Sequence, residues 1–187
     1  MKYLWIGAFL IALAGCNSHS DQSIQKETSA SFVAADSTAP ISKAMTELLS
    51  GYLQMKSFFP DVTDTLKVKM HAEQMILWAD SLSRLSGTVP APLSDSMQIM
   101  SMGISDELKG LLEEREKKGI GLAFQLTGLQ LYDLLRLLQY SNQKIYFFQS
   151  NTGGEGEASW LDITPVSTHP FRESGVYEKA VDSIYRK

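Results

Sequence analysis

The sequence predicts a mainly α-helical domain: a four-helix bundle-like body with an irregular or hairpin-like C-terminal cap. Three observations point there. Apolar residues recur at three- and four-residue spacings through successive segments between residues 41 and 140. Proline- and glycine-bearing stretches punctuate those segments. After Asn142 the helical period gives way to an aromatic, strand-like run.

In the first segment Ile41, Met45, Leu48, Tyr52, Met55 and Phe59 form one stripe, while Lys43, Glu47, Ser50 and Gln54 fall on the other side. That is an amphipathic helix with one buried face. Phe59-Pro60-Asp61 stops it, and Asp61 or Thr63 can cap the next helix. The second helix, about 63–85, aligns Val68, Ala72, Met75, Ala79 and Leu82, and its alanines allow close helix approach. Gly87 to Pro92 reads as a loop. The third segment, about 93–118, is interrupted by Gly103, and its firm half begins with Ser105 and Asp106 as candidate caps. The mixed-sign run Glu113–Lys118 reads as a solvated helix face. The fourth helix, about 120–140, carries Ile120, Phe124, Leu131, Leu135 and Leu138 on one side and Leu122, Leu126, Leu129 and Leu137 on nearly the opposite one. That arrangement predicts packing on two sides. Lys144–Gln149 favours a strand, Gly153–Gly156 a loop and Ala158–Ile163 an extended segment, with a short helix over Tyr177–Lys187.

Ahead of this body lies an export signal. Lys2 precedes an apolar run from Leu4 to Leu13, too short for the ~20 residues that span a bilayer and fitting a signal peptide over residues 1–15. The run ends in Leu13-Ala14-Gly15-Cys16, the small-residue pattern cleaved before a lipidated cysteine, and Cys16 is the single cysteine of the chain. Acylation of Cys16 anchors a protein to the lipid bilayer without a spanning helix. Asn17 rather than Asp follows it, which favours the outer membrane over inner-membrane retention. Residues 16–40 then read as lipidated cysteine and polar tether, and 41–187 as one domain.

Composition excludes some partners. The 17 basic side chains include Lys2 of the signal and stand against 21 acidic ones, so the mature chain offers no basic attraction for nucleic acid. With Cys16 acylated there is no thiol nucleophile. No Gly-x-Ser-x-Gly, His-Glu-x-x-His or phosphate-loop motif occurs. The expectation is a non-enzymatic domain that binds an envelope protein partner or a small ligand.

Several pieces, in order, carry a resemblance: Tyr52-Leu53-Gln54-Met55-Lys56; Phe124-Gln125-Leu126-Thr127 with Leu131-Tyr132; Tyr146; Gly156-Glu157-Ala158-Ser159-Trp160-Leu161; and His169-Pro170-Phe171. Through these, residues 41–187 resemble an uncharacterised helical domain of Gram-negative envelope lipoproteins, also found fused to heavy-metal (copper) efflux adaptor proteins. The family's sulfur residues imply copper or a related soft metal. Here the Cys-Pro-Met position reads Ser150-Asn151-Thr152, Ile120-Gly121 stands where the family has Gln-Arg, and no Met or Cys follows Met102. The chain thus resembles a degenerate member that lacks the family's sulfur ligands.

The remaining soft donors are Met97, Met100 and Met102, with His71 one turn from Met75. Thioethers at that spacing suit copper(I), the alternative reading. Met97 and Met100 can share a helix face, but all three converge only if the chain is irregular near Gly103. Methionine also serves as ordinary core filler, and His71 near Trp78 as a partly buried histidine without a ligand. His19 lies in the tether, and His169 precedes Pro170 without a second ligand nearby in sequence. Tyr146, Phe147, Phe148, Trp160 and Phe171 are the candidate contact surface, with a second small core as the competing reading.

Overall fold

The computed structural model describes residues 38–59, 65–151, 157–172 and 176–184. The signal peptide 1–15, Cys16 and residues 17–37 of the tether lie outside them, as do Pro60, Asp61, Thr63 and the Gly153–Gly156 loop. The chain runs α1 (Thr38–Lys56), α2 (Thr65–Leu85), a 3-10 turn (Ser86–Thr88), α3 (Leu93–Glu113), α4 (Lys117–Leu137), then β1 (Ile145–Asn151), β2 (Glu157–Asp162), β3 (Val166–Thr168), β4 (Tyr177–Lys179) and β5 (Asp182–Ile184). It is the mainly helical bundle with a strand-built cap that the periodicity predicts.

The stripes of α1 and α2 are the buried faces. Every predicted apolar position from Ile41 to Phe59 and from Val68 to Leu82 is buried, while Lys43, Glu47 and Gln54 face solvent. The tether's predicted end at residue 40 is corrected, because α1 already begins at Thr38.

α3 is also corrected. It runs unbroken through Gly103, and Ser105 is a mid-helix residue whose hydroxyl donates to Asp80 Oδ1 of α2 at 2.7 Å rather than capping anything. One mid-helix glycine costs ~1 kcal/mol, less than burial of Met97, Ile104, Leu108 and Leu111 returns at ~1.5–3 kcal/mol for each large side chain. The helix ends five residues before the predicted 118. Glu114 turns extended, and its carboxylate accepts hydrogen bonds from the amides of Arg115 (2.7 Å) and Glu116 (3.0 Å) just ahead of α4. Lys69 of α2 donates to the carbonyls of Leu112 and Glu114, completing the end of α3. Of the run Glu113–Lys118, only Glu114–Glu116 form the helix-to-helix turn, while Glu113 ends α3 and Lys117 and Lys118 open α4.

α4 buries Ile120, Phe124, Leu131 and Leu135 as expected, but its opposite row is not packed. Leu122, Leu126 and Leu129 are 56, 37 and 43 % exposed. Only Leu137, at the C-terminal end of that row, packs against the core. α4 closes at Gln139, whose φ is 50°, with Tyr140 N bonded to Leu135 O and Gln139 N to Arg136 O. That is the paired-bond stop usually built on glycine.

In the cap, β1 is the central strand of an antiparallel sheet ordered β2-β1-β5, with β3 and β4 paired separately. Phe148 stands opposite Trp160, and Phe147 opposite Leu161. The helix expected over Tyr177–Lys187 is corrected: this stretch supplies β4 and β5. Backbone groups on the free edge of β1 need partners, and Asp182–Ile184 provides them opposite Phe147–Ile145.

Candidate contact surface

The predicted aromatics are mostly inside. Phe148 and Trp160 are fully buried and stacked, with centroids 5.2 Å apart. Trp160 meets His169 at 4.8 Å, His169 meets Phe171 at 6.0 Å, and Phe171 stands edge-on to Phe124 at 5.9 Å. Tyr52 stacks on the same Phe124 at 4.5 Å. The aromatics therefore form one chain that fuses the cap to the bundle core, which corrects the contact-surface reading of Phe148 and Trp160. Tyr146 and Phe171 stay partly accessible. Tyr146 lies under the Lys144 ammonium at 5.0 Å, and Phe171 packs beside Gly121.

The methionines do not converge. Because α3 is regular past Gly103, Met97 points into the core and Met102, five residues on, lies about 140° round the helix at ~100° per residue, half exposed. Met100 is partly buried against the core. His71 sits on α2 with its ring stacked on Phe58 at 5.5 Å, and its neighbour in register, Met75, is fully buried against Gly51. Among the described residues no group of three His, Cys, Asp or Glu side chains could hold a metal ion.

A polar cluster that sequence reasoning missed joins the end of α1 to the cap. Lys56 Nζ is ion-paired with Asp162, donates to Ser167 Oγ at 2.6 Å, and Ser167 in turn donates to Asp162. Trp160 Nε1 donates to Ser167 Oγ at 3.4 Å. Burial pushes the Asp162 carboxyl up, but the hydrogen bonds from Lys56 and Ser167 together with the Lys56 charge outweigh it and hold the group below its usual range. The Ser167 hydroxyl is buried and its proton is given to a carboxylate. With Lys56 and Trp160 also donating to it, this serine ties the end of α1 to the cap. Lys56 lies 106 residues from Asp162 and 111 from Ser167 in sequence, so no local pattern signals the cluster.

His169 is buried beside this cluster. Its Nδ1 accepts from the Phe171 amide at 3.1 Å, so the neutral ring carries its proton on Nε2, which has no partner among the described residues. Burial lowers its pKa, and the Arg172 charge adds to that against the opposing Glu178.

Two features face outward. One is an open groove of about 510 Å³ lined by Tyr132, Arg136, Gln139, Tyr140 and Asp182. There Tyr132 donates to Asp182 Oδ2 at 2.6 Å, Arg136 lies 3.9 Å from the same oxygen, and its guanidinium sits 5.7 Å from the Tyr132 ring centroid. These groups satisfy one another. The other feature is the row Leu122, Leu126, Leu129 on α4, continued at its two ends by exposed Lys118 and Asp133. Adjacent exposed leucines on one face are the kind of surface that marks an interaction site. The periodicity of α4 predicts these leucines as packed, and the structure leaves them uncovered.

No described helix is long and apolar enough to cross a membrane. Comparison with known proteins yields no matching family model, no matching curated protein and no matching solved structure.

Proposed function

We propose that this chain is a lipid-anchored envelope protein, held at the outer membrane by acyl chains on Cys16, whose helical body works by binding a protein partner rather than by catalysis. Leu13-Ala14-Gly15-Cys16 supports the anchoring half of the reading. The structural observation that carries the binding half is the uncovered leucine row of α4. Three large aliphatic side chains on one stripe of a rigid helix are a ready anchor for a partner helix. A binding module also accounts for the state of the polar groups: Lys56, Asp162 and Ser167 are committed to one another, and Tyr132, Arg136 and Asp182 likewise.

The anchoring half is tested by expressing the full chain in a Gram-negative cell beside Cys16→Ser. The wild-type protein is expected in the outer-membrane fraction, extracted by detergent and not by high salt or alkaline carbonate. The variant is expected to lose acyl labelling and that fractionation. Equal labelling and fractionation of both would contradict the reading.

A further inference from the structure

The exposed stripe of α4 is complementary to its own reverse. About the midpoint between Gln125 and Leu126, Leu122 mirrors Leu129, and Lys118 mirrors Asp133. All four are exposed, as is Leu126 beside the midpoint. Among the described residues neither Lys118 nor Asp133 belongs to an ion pair. Laying a second α4 antiparallel across the first therefore sets Leu122 against Leu129 of the copy, the two Leu126 side chains against each other, and each Lys118 against an Asp133. A two-fold interface requires this self-complementarity, since whatever one copy offers the other must accept.

The flanks agree. Arg136, just beyond Asp133, is drawn toward its own Asp182 and the Tyr132 ring. The two Arg136 side chains are thus occupied within their own chains. The parallel arrangement fits worse, because it stacks Lys118 on Lys118 and Asp133 on Asp133. Another exposed apolar row, Leu66, Met70 and Leu77 on α2, carries Glu73 between Met70 and Leu77. A two-fold pairing there that sets Leu66 against Leu77 of the copy brings the two Glu73 carboxylates within about one helical turn of each other.

We infer that the partner of the α4 face is a second copy of this chain, docked antiparallel through Leu122, Leu126 and Leu129 with Lys118–Asp133 ion pairs at both ends. The leucines supply apolar burial, and the rim charges set direction more than affinity. One helix face is small beside a standard interface of ~1,600 Å², so the dimer is weak in dilute solution. Anchoring both copies in one membrane raises their effective concentration. The inference rests on reading the α4 row as a contact surface.

The test uses the full chain in its cell envelope, with a photoreactive phenylalanine analogue placed at position 126. An adduct at twice the chain's mass is expected. An adduct of any other mass overturns self-pairing yet leaves the contact-surface reading standing, and no adduct at all overturns both. Register is read by disulfide trapping in the same cells against the wild-type background. Leu126→Cys is expected to trap a dimer alone, whereas Leu122→Cys and Leu129→Cys trap one only when co-expressed. Equal trapping by Leu122→Cys alone overturns the antiparallel register. Lys118→Asp is expected to reduce the Leu126→Cys dimer several-fold and Lys118→Asp with Asp133→Lys to restore it; failure of the double reversal to restore it overturns the ion-pair assignment.

Discussion

The Tyr52 ring lies flat on Phe124, 4.5 Å between centroids and 11° from parallel, and Gly128 is the reason it can. A Cβ at Gly128 would stand 2.4 Å from Tyr52 Oη and 2.9 Å from Cζ. The same hydroxyl accepts from the Leu161 amide of β2 at 3.4 Å, so one tyrosine on α1 touches α4 and the cap together.

Gly128→Ala is therefore expected to destabilise the fold by ~1–3 kcal/mol, the usual cost of overpacking, although alanine is the better helix former. Tyr52→Phe removes the closest atom, so the double variant should lose less than the sum of the two single losses. Denaturant unfolding of all four proteins checks this, and simple additivity would contradict the contact.

Lys56→Met should cost about 3 kcal/mol by leaving the Asp162 carboxylate partly buried without its cation. The side chains of the pair are only 11 and 16 % exposed. Lys56→Met combined with Asp162→Leu should recover much of that loss, because no lone charge then remains. Urea midpoints of the wild type and the two variants decide it, and a double variant as weak as the single one would be the contrary result.

Acidification should weaken the fold in two stages. The pKa of His169 is depressed in the folded protein, so the unfolded chain takes up its proton first and stability falls as pH drops below the ordinary histidine value of ~6.5. Asp162 is also depressed, so its contribution is present above the ordinary carboxylate range and is lost as pH falls through its lower folded value. Thermal midpoints between pH 7 and 5 should show a decline that His169→Gln reduces, while the steeper fall near pH 4 and below persists in that variant. An unchanged decline in His169→Gln would rule out the first stage.

Much of this architecture is legible in the sequence, and the failures have physical causes. α1 and α2 read cleanly because each buries one stripe, and a helical period reports one stripe well. Gly103 reads as a break in α3 because propensity is local, whereas the burial that holds the helix together comes from α2 and α4. Periodicity also counts leucines without knowing what covers them, so Leu122, Leu126 and Leu129 looked packed. β5 was unreadable because its conformation is dictated by the free edge of β1, not by its own Asp-Ser-Ile. The Lys56–Asp162–Ser167 cluster joins groups 106 and 111 residues apart in sequence, a link only folding makes.

The copper alternative also has a definite expectation. With Met97 in the core and Met102 turned away from it, Met97, Met100, Met102 and His71 form no common pocket. The detergent-extracted mature chain should not compete with a chromophoric chelator for copper(I) under reducing conditions. Stoichiometric uptake that Met97→Leu, Met100→Leu and Met102→Leu together abolish would reinstate the metal reading.

Anchoring through Cys16 is the claim from which the envelope setting follows, and the intact mass of the protein extracted from membranes tests it most directly. The extracted chain is expected to begin at Cys16 and to carry the diacylglyceryl and amide-linked acyl additions, both absent from Cys16→Ser. A wild-type chain cleaved elsewhere, with an unmodified cysteine or none, would contradict it.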